Sequence, residues 1–360
     1  MKFSLRKVHR LLLSVLLGGS VFALGCNLVK TERKTPTLLK SETAQQAELI
    51  KEVNRFARVD SMRAKMDLRF EDNSFAEFGN KEVYRDADGE LVVQRPGKIL
   101  LKVQVPVLKT DVAQMTSDGE NFRVAILQDG GTGKYKKFVK GTNNADYSRL
   151  QKALGNAVNP NGNGKIPKEK VNAFANLRPQ HFTDAMLVRP TDDTHAYTQS
   201  SIFQVEEDPT VISKSPLRNV MRGYYLLDEF AREPDGRLKI TRRFWFDRVG
   251  GIRLARQQIF DAAGEIESDI TYGKEGKLTE SGDYLNLPLE IQVTRPKEKY
   301  AMKLTYQTPE AVIIGNKFSD AAFVLQNTWN LEEVDLDKQL GEVIRERTSN
   351  VNKNAVVRLQ

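Results

Sequence analysis

The sequence predicts a mainly β, α+β protein built on one large antiparallel sheet with a few helices. Two observations carry that reading. Apolar and polar residues alternate in long runs, the mark of strands with one buried face. Turn signals ending in Gly punctuate those runs, and Asp-Gly between alternating stretches is the strongest short hairpin signal. Hairpins join antiparallel neighbours, so many of them imply an antiparallel sheet.

The chain opens on the cations Lys2, Arg6, Lys7 and Arg10, then the apolar run Leu11 to Ala23. A positive stretch, an apolar stretch and small residues before a cut site make a secretory signal peptide over 1–25. The apolar run is short for a membrane span, which needs about 20 residues. Its ending, Ala23-Leu24-Gly25-Cys26, resembles the lipobox of bacterial lipoproteins, with Ala23 where Leu is usual. The resemblance implies cleavage before Cys26, a palmitate-type diacylglycerol on its sulfur and an acylated amino end. Cys26 is the one Cys in 360 residues, so the folded part has no internal disulfide and holds by packing. A hydrophobic fraction of 40% provides a core and excludes a multi-span membrane protein. The net charge of +8 falls to about +4 once four signal-peptide cations leave. Spread along the chain, that charge favours anionic headgroups rather than nucleic acid, which asks for a concentrated patch.

Residues 26–42 are polar and read as a lipidated tether, reaching roughly 20 Å as a flexible coil. In enterobacteria an Asp after the lipidated Cys commonly signals inner-membrane retention. Asn27 in that place points to the periplasmic face of the outer membrane, with the inner membrane as the other address. One folded domain is expected over 43–340. Thr43 to Arg58 is helical, because Leu49, Val53 and Phe56 fall on one face, with Ser41 or Thr43 as cap. Met62, Ala64, Met66, Leu68 and Phe70 then alternate with charged residues in a strand. A hairpin is expected across Asp88-Gly89, followed by a strand over Ile99 to Val105. Asp118-Gly119, Asp235-Gly236 and Ala263-Gly264 turn the chain into further strands. Leu289, Ile291 and Val293 alternate again, as do Met302, Leu304 and Tyr306. Residues 129–189 break the pattern and read as a loop-rich insertion with short helices around 147–157, 168–174 and 178–187. Residues 341–360 read as a polar tail.

At Gly89 to Phe122 the sequence resembles the LolA/LolB family of periplasmic lipoprotein carriers and outer-membrane receptors. The match is a strand, Arg95-Pro96-Gly97-Lys98, a second strand, Pro106, and the hairpin Ser117-Asp118-Gly119. Trp245-Phe246-Asp247 with Phe260-Asp261, and Asn316-Lys317-Phe318 through Phe323, resemble later family segments. The chain departs in having Leu100-Leu101 where an aromatic is common and in its greater length. The resemblance implies a sheet curled into an open half-barrel whose concave apolar face is covered by helices and holds acyl chains. It points to a non-enzymatic protein without cofactor that takes lipoprotein acyl chains, from a periplasmic carrier protein, and helps insert them at the outer membrane. A lipid or glycolipid binder on the same fold, and a structural or sensory lipoprotein with a protein partner, are the other readings. Met66, Leu68, Phe70, Leu101, Val103, Val124, Phe244 and Phe246 are the candidate groove lining; as strand apolars they serve equally as plain core. Val107 and Leu108, after Pro106 and beside Lys109, are the candidate membrane-inserting tip, unless they begin the next strand and are buried.

Other chemistry fails on its residues. Gly130-Gly131-Thr132-Gly133-Lys134 lacks the first Gly of a phosphate loop, and Tyr135 stands where Ser or Thr must hold magnesium. His181 and His195 show no metal-ligand spacing. Asp192-Asp193 near His195 reads as a solvated loop.

Overall fold

The computed structural model describes residues 35–72, 82–106, 108–128, 136–145, 147, 178–208, 210–282 and 284–345. In chain order the elements are β1 (Thr37–Leu38), α1 (Gln46–Phe56), β2 (Ser61–Asp72), β3 (Glu82–Gln94), β4 (Lys98–Gln104), β5 (Asp111–Asp118), β6 (Asn121–Ile126) and β7 (Lys137–Thr142). Then follow α2 (Pro179–Met186), β8 (Ala196–Glu207), β9 (Asn219–Arg232), β10 (Leu238–Asp247), β11 (Arg253–Phe260), β12 (Ile266–Leu278) and β13 (Tyr284–Arg295). The chain closes with β14 (Tyr300–Tyr306), β15 (Ile313–Ile314), β16 (Glu332–Asp335) and a helix α3 over 336–345.

The chain divides into two compact units, 1–39 with 205–221, and 40–204 with 222–360. In the first, β1 pairs parallel with the start of β9, Thr37 opposite Val220 and Leu38 opposite Met221. The polar segment after Cys26 therefore gains strand structure at Thr37, short of the expected limit at 42.

In the second unit the strands lie in the order β9-β10-β11-β12-β13-β14-β2-β3-β4-β5-β6-β7-β16, with β15 also on β2. These pairs are antiparallel except β7 with β16. The row ends on different strands, so its hydrogen bonds do not close it into a barrel. One apolar core runs along one face, from Phe244 and Phe246 of β10 through Met66 and Leu101 to Val124 and Val139. Helix α2 packs on β3, β4, β5 and β13. It also meets β2, β12 and β14 through Phe70, Tyr272 and Tyr300. Those seven neighbouring strands would span about 29 Å if flat. A helix is only about 10–12 Å across, so the sheet curls around α2, its apolar face inward.

The alternating runs form strands where expected, and Asp118-Gly119, Asp235-Gly236 and Ala263-Gly264 turn the chain with their glycines at positive φ. Asp88-Gly89 does not. It lies inside β3, where Gly89 pairs with Met66 and with Val103. The glycine answers a packing need, since a Cβ there would sit 2.6 Å from Leu68 Cδ1. Helix α1 begins later than expected. Its cap is Gln45, whose backbone N–H donates to Glu48 Oε2 at 2.7 Å, rather than Ser41 or Thr43. Within 129–189, β7 adds a strand to the sheet, and α2 takes the place of the helix expected at 178–187. The helices expected at 147–157 and 168–174 and the Gly130–Lys134 loop lie outside the described residues, apart from Tyr147. The expected domain limit at 340 falls inside α3, because Leu336, Leu340 and Val343 recur at helical spacing and pack on the core.

Candidate functional site

The concave face is filled by two amphipathic helices. Helix α1 buries Leu49, Val53 and Phe56, spaced four and three residues apart. Helix α2 starts with Pro179, whose missing N–H costs nothing at a first helical turn, and buries Phe182, Ala185 and Met186. Phe182 meets Phe70 edge-on at 6.4 Å, and Phe56 packs on Tyr272 at 5.6 Å. Tyr272 Oη donates to the Ala185 carbonyl at 3.2 Å. Between the helices and the sheet runs an apolar seam of about 20 Å³, lined by Phe56, Met62, Met186, Tyr272, Ile291 and Tyr306 among others. It adjoins, through Leu287, a wider cleft of about 500 Å³ at the surface. That cleft carries Arg55, Arg58 and Arg253 beside Ile252, Tyr284 and Leu285. Glu52 and the Leu285 and Asn286 carbonyls take up Arg55, and Asp247 and Glu275 take up Arg253.

All eight candidate groove residues are buried in the one core, on the face that meets the helices. Here they pack protein against protein. Leu108 lies in the turn between β4 and β5 and is 75% exposed, so it does not begin a buried strand. The turn is held by Val105 N–H donating to the Thr110 carbonyl at 3.0 Å and Lys109 N–H to the Val105 carbonyl at 3.0 Å. Lys109 pairs with Asp88. Val107 and Cys26 lie outside the described residues.

Two arginines hold the helices, Arg242 buried and Arg95 half-buried, and the sequence pattern assigns neither a role. Arg95, from the Arg-Pro turn after β3, donates to Ala57 and Val59 carbonyls just past α1, both at 3.1 Å. The same guanidinium donates to the Leu187 and Val188 carbonyls just past α2, at 3.3 and 2.8 Å. Helix C-termini leave carbonyls without intrahelical donors, and a planar cation with five N–H groups satisfies several together. Arg242 of β10 continues the series, donating to the Arg189 carbonyl at 2.7 Å and the Pro190 carbonyl at 3.1 Å. Four successive carbonyls after α2 are thus bonded by two guanidiniums from different parts of the sheet. Arg242 is neutralised by Glu229, which also accepts from Tyr197 at 3.0 Å, Thr241 at 2.8 Å and Arg189 at 3.1 Å. Burial pushes the Glu229 carboxyl up, yet these donors outweigh it and hold the group below the usual carboxylate range. Burial pushes Asp184 on α2 up to about 6.

His181 of α2 is buried and shares a hydrogen bond with Tyr300. Burial, then Arg295 and Arg178, hold its imidazole well below the usual range, so it is neutral. Asp192 accepts from His195 Nδ1 and Thr194 N–H, both at 2.8 Å, closing an exposed turn. Among the described residues no three of His, Cys, Asp and Glu are grouped to hold a metal.

No protein-family model and no curated protein matches the chain. Among solved structures it is similar to a LolA superfamily protein from Nitrosomonas europaea, at 10% identity and a TM-score of 0.37, over 78% of this chain and 99% of that one. It is similar to a DUF1329 family protein from Desulfovibrio piger, at 10% identity and a TM-score of 0.38, over 77% and 95% of the two chains. A Vibrio parahaemolyticus domain described as an outer membrane lipoprotein-sorting protein is similar at 10% identity and 0.38, over 77% and 94%.

Proposed function

We propose that this chain is a lipid-anchored envelope protein that takes lipoprotein acyl chains between its helices and the curled sheet and helps deliver them at the outer membrane. The observation that carries the reading is the bracket at Arg95. A continuous apolar face is plugged by two helices whose shared ends are fixed by hydrogen bonds rather than by a disulfide or a loop of the core. Moving α1 and α2 off the sheet exposes apolar surface on both, and an acyl chain replaces the contacts at about 0.8 kcal/mol per buried methylene. The Arg-lined cleft beside the seam suits a polar headgroup at its mouth.

The test is mass spectrometry of lipids and lipopeptides that co-purify with the protein, together with an environment-sensitive apolar dye. Bound acyl species, and dye displaced by lipopeptide, are the expected results. Nil uptake of dye and of lipid would make the apolar face plain core and favour a structural lipoprotein. Anchoring is tested at Cys26. Cys26→Ser should abolish palmitate labelling and leave the chain uncut or released from the membrane; labelling that persists would defeat the anchor.

Delivery requires contact with the bilayer, and Leu108 is its proposed tip. Leu108→Glu should change stability by no more than about 0.5 kcal/mol, as exposed positions usually do. Lipid transfer to vesicles should nevertheless fall. Unfolding of the variant would show that the side chain is packed, and unchanged transfer would remove it from the mechanism.

A further inference from the structure

The unit formed by 1–39 and 205–221 holds four of the most exposed large apolar side chains among the described residues. Ile212 is 78% exposed, Leu217 65%, Leu38 62% and Val205 59%. Their concentration in one compact unit, with Ile212 and Leu217 five residues apart on one loop, sets them apart from surface apolars scattered singly. The loop that presents them is tightly built. Asp208 Oδ1 accepts from Thr210 N–H at 2.9 Å and from its hydroxyl at 2.6 Å. Ser215 Oγ accepts from Leu217 N–H at 3.2 Å, starting the short turn Pro216–Arg218. Arg218 pairs with Glu207 at 2.8 Å and donates to the Val211 carbonyl at 2.9 Å. Polar side chains thus fix the loop from within while Ile212 and Leu217 face water.

We infer that this unit is a membrane contact in its own right, with Ile212 and Leu217 seated among the headgroups of an anionic phospholipid bilayer. The inference rests on the proposed anchor at Cys26. Ten residues, eleven Cα-to-Cα steps, separate Cys26 from Thr37. They reach about 18 Å as a coil and at most about 38 Å when stretched, so the anchor keeps this unit at the bilayer surface. Charge agrees. The linking residues carry Lys30, Arg33 and Lys34 against Glu32 alone, and Lys214 is the only charged residue in 210–217. Of the three acids in 205–221, Glu206, Glu207 and Asp208, two are engaged within the unit, Glu207 with Arg218 and Asp208 with Thr210. Exposed apolar side chains beside cations suit the interface of an anionic leaflet.

The test uses the full chain with Ile212→Cys or Leu217→Cys. Cys26 is the only native cysteine and its thiol is consumed by lipidation, so a thiol-reactive, environment-sensitive fluorophore marks the loop. The labelled protein is reconstituted into vesicles of phosphatidylethanolamine and phosphatidylglycerol, some carrying nitroxide-labelled lipid. Blue-shifted emission and quenching by the nitroxide are expected at both positions, weakened when phosphatidylcholine replaces the anionic lipid. Water-like emission without quenching, on protein that incorporates palmitate, would overturn the inference and leave the anchor standing. If palmitate is not incorporated, the anchor has failed and Cys26 would also take the label, so the loop variants are then made with Cys26→Ser and mixed with vesicles, where water-like emission without quenching would overturn the inference. A blue shift that appears without vesicles and grows with protein concentration would mean self-association and would also overturn it.

Discussion

Arg95→Leu is expected to lower the stability of the 40–204 and 222–360 unit by about 2–4 kcal/mol and to loosen α1 and α2 together. The wild-type guanidinium makes hydrogen bonds to four carbonyls, two past each helix. A hydrogen bond to a charged group contributes about 1.5–3 kcal/mol. The sum is not additive, because carbonyls at freed helix ends recover some bonding from water. Hydrogen exchange should quicken at the C-terminal turns of both helices while the strands β2 to β6 keep their protection. Arg95→Lys should recover little, because an ammonium is a point charge that cannot span four fixed acceptors. On the proposed function, the loosened variant should exchange an apolar dye faster than wild type. Unchanged exchange at both helices would show that the bracket is dispensable.

Glu229→Gln is expected to cost about 3–5 kcal/mol, because it strands the buried Arg242 without a counter-charge. Replacing both residues by apolar ones should cost less than the single change. The pH dependence has a definite sign. The folded-state pKa of Glu229 lies below the carboxylate's unfolded value, so its contribution is complete above about pH 4.3 and is lost as pH falls through the folded pKa. Urea melts across that acid range should show wild-type stability falling faster than that of Glu229→Gln. Parallel acid curves for the two proteins would place the charge of this carboxylate outside the stability of the fold.

The strands were legible wherever one face alone is buried. Residues 98–104 alternate half-buried and buried without a break, and Ile99, Leu101 and Val103 are the pattern that gave them away. Strand β8 carries no such signal, because both its faces are part-exposed along its length. Asp88-Gly89 misled because the same dipeptide serves a turn or a close approach, and only the position of Leu68 decides which. The apolar lining could be named from alternation, but not what lies against it, since helix placement is a tertiary fact. Arg95 stood in a noted motif, yet its acceptors are backbone carbonyls, which leave no trace in side-chain chemistry. Glu229 and Arg242 left no trace either: continued from its turn, the β9–β10 hairpin would put Thr241 opposite Glu229, and only a bulge after Ile240 brings Arg242 there.

The pairing of β2 with β14 places Met66 opposite Tyr306, 240 residues further along the chain. During synthesis or export from the N-terminus, β2 to β7 can zip together while β2 still lacks that neighbour. Its bare edge and the apolar face behind it then wait for the last third of the chain. Long-range strand pairing is slow, and an unpaired edge templates aggregation. A chain whose β14 has not yet emerged is therefore expected to aggregate unless it is held apart, and truncation before Tyr300 is expected to leave an aggregation-prone product rather than a smaller working domain.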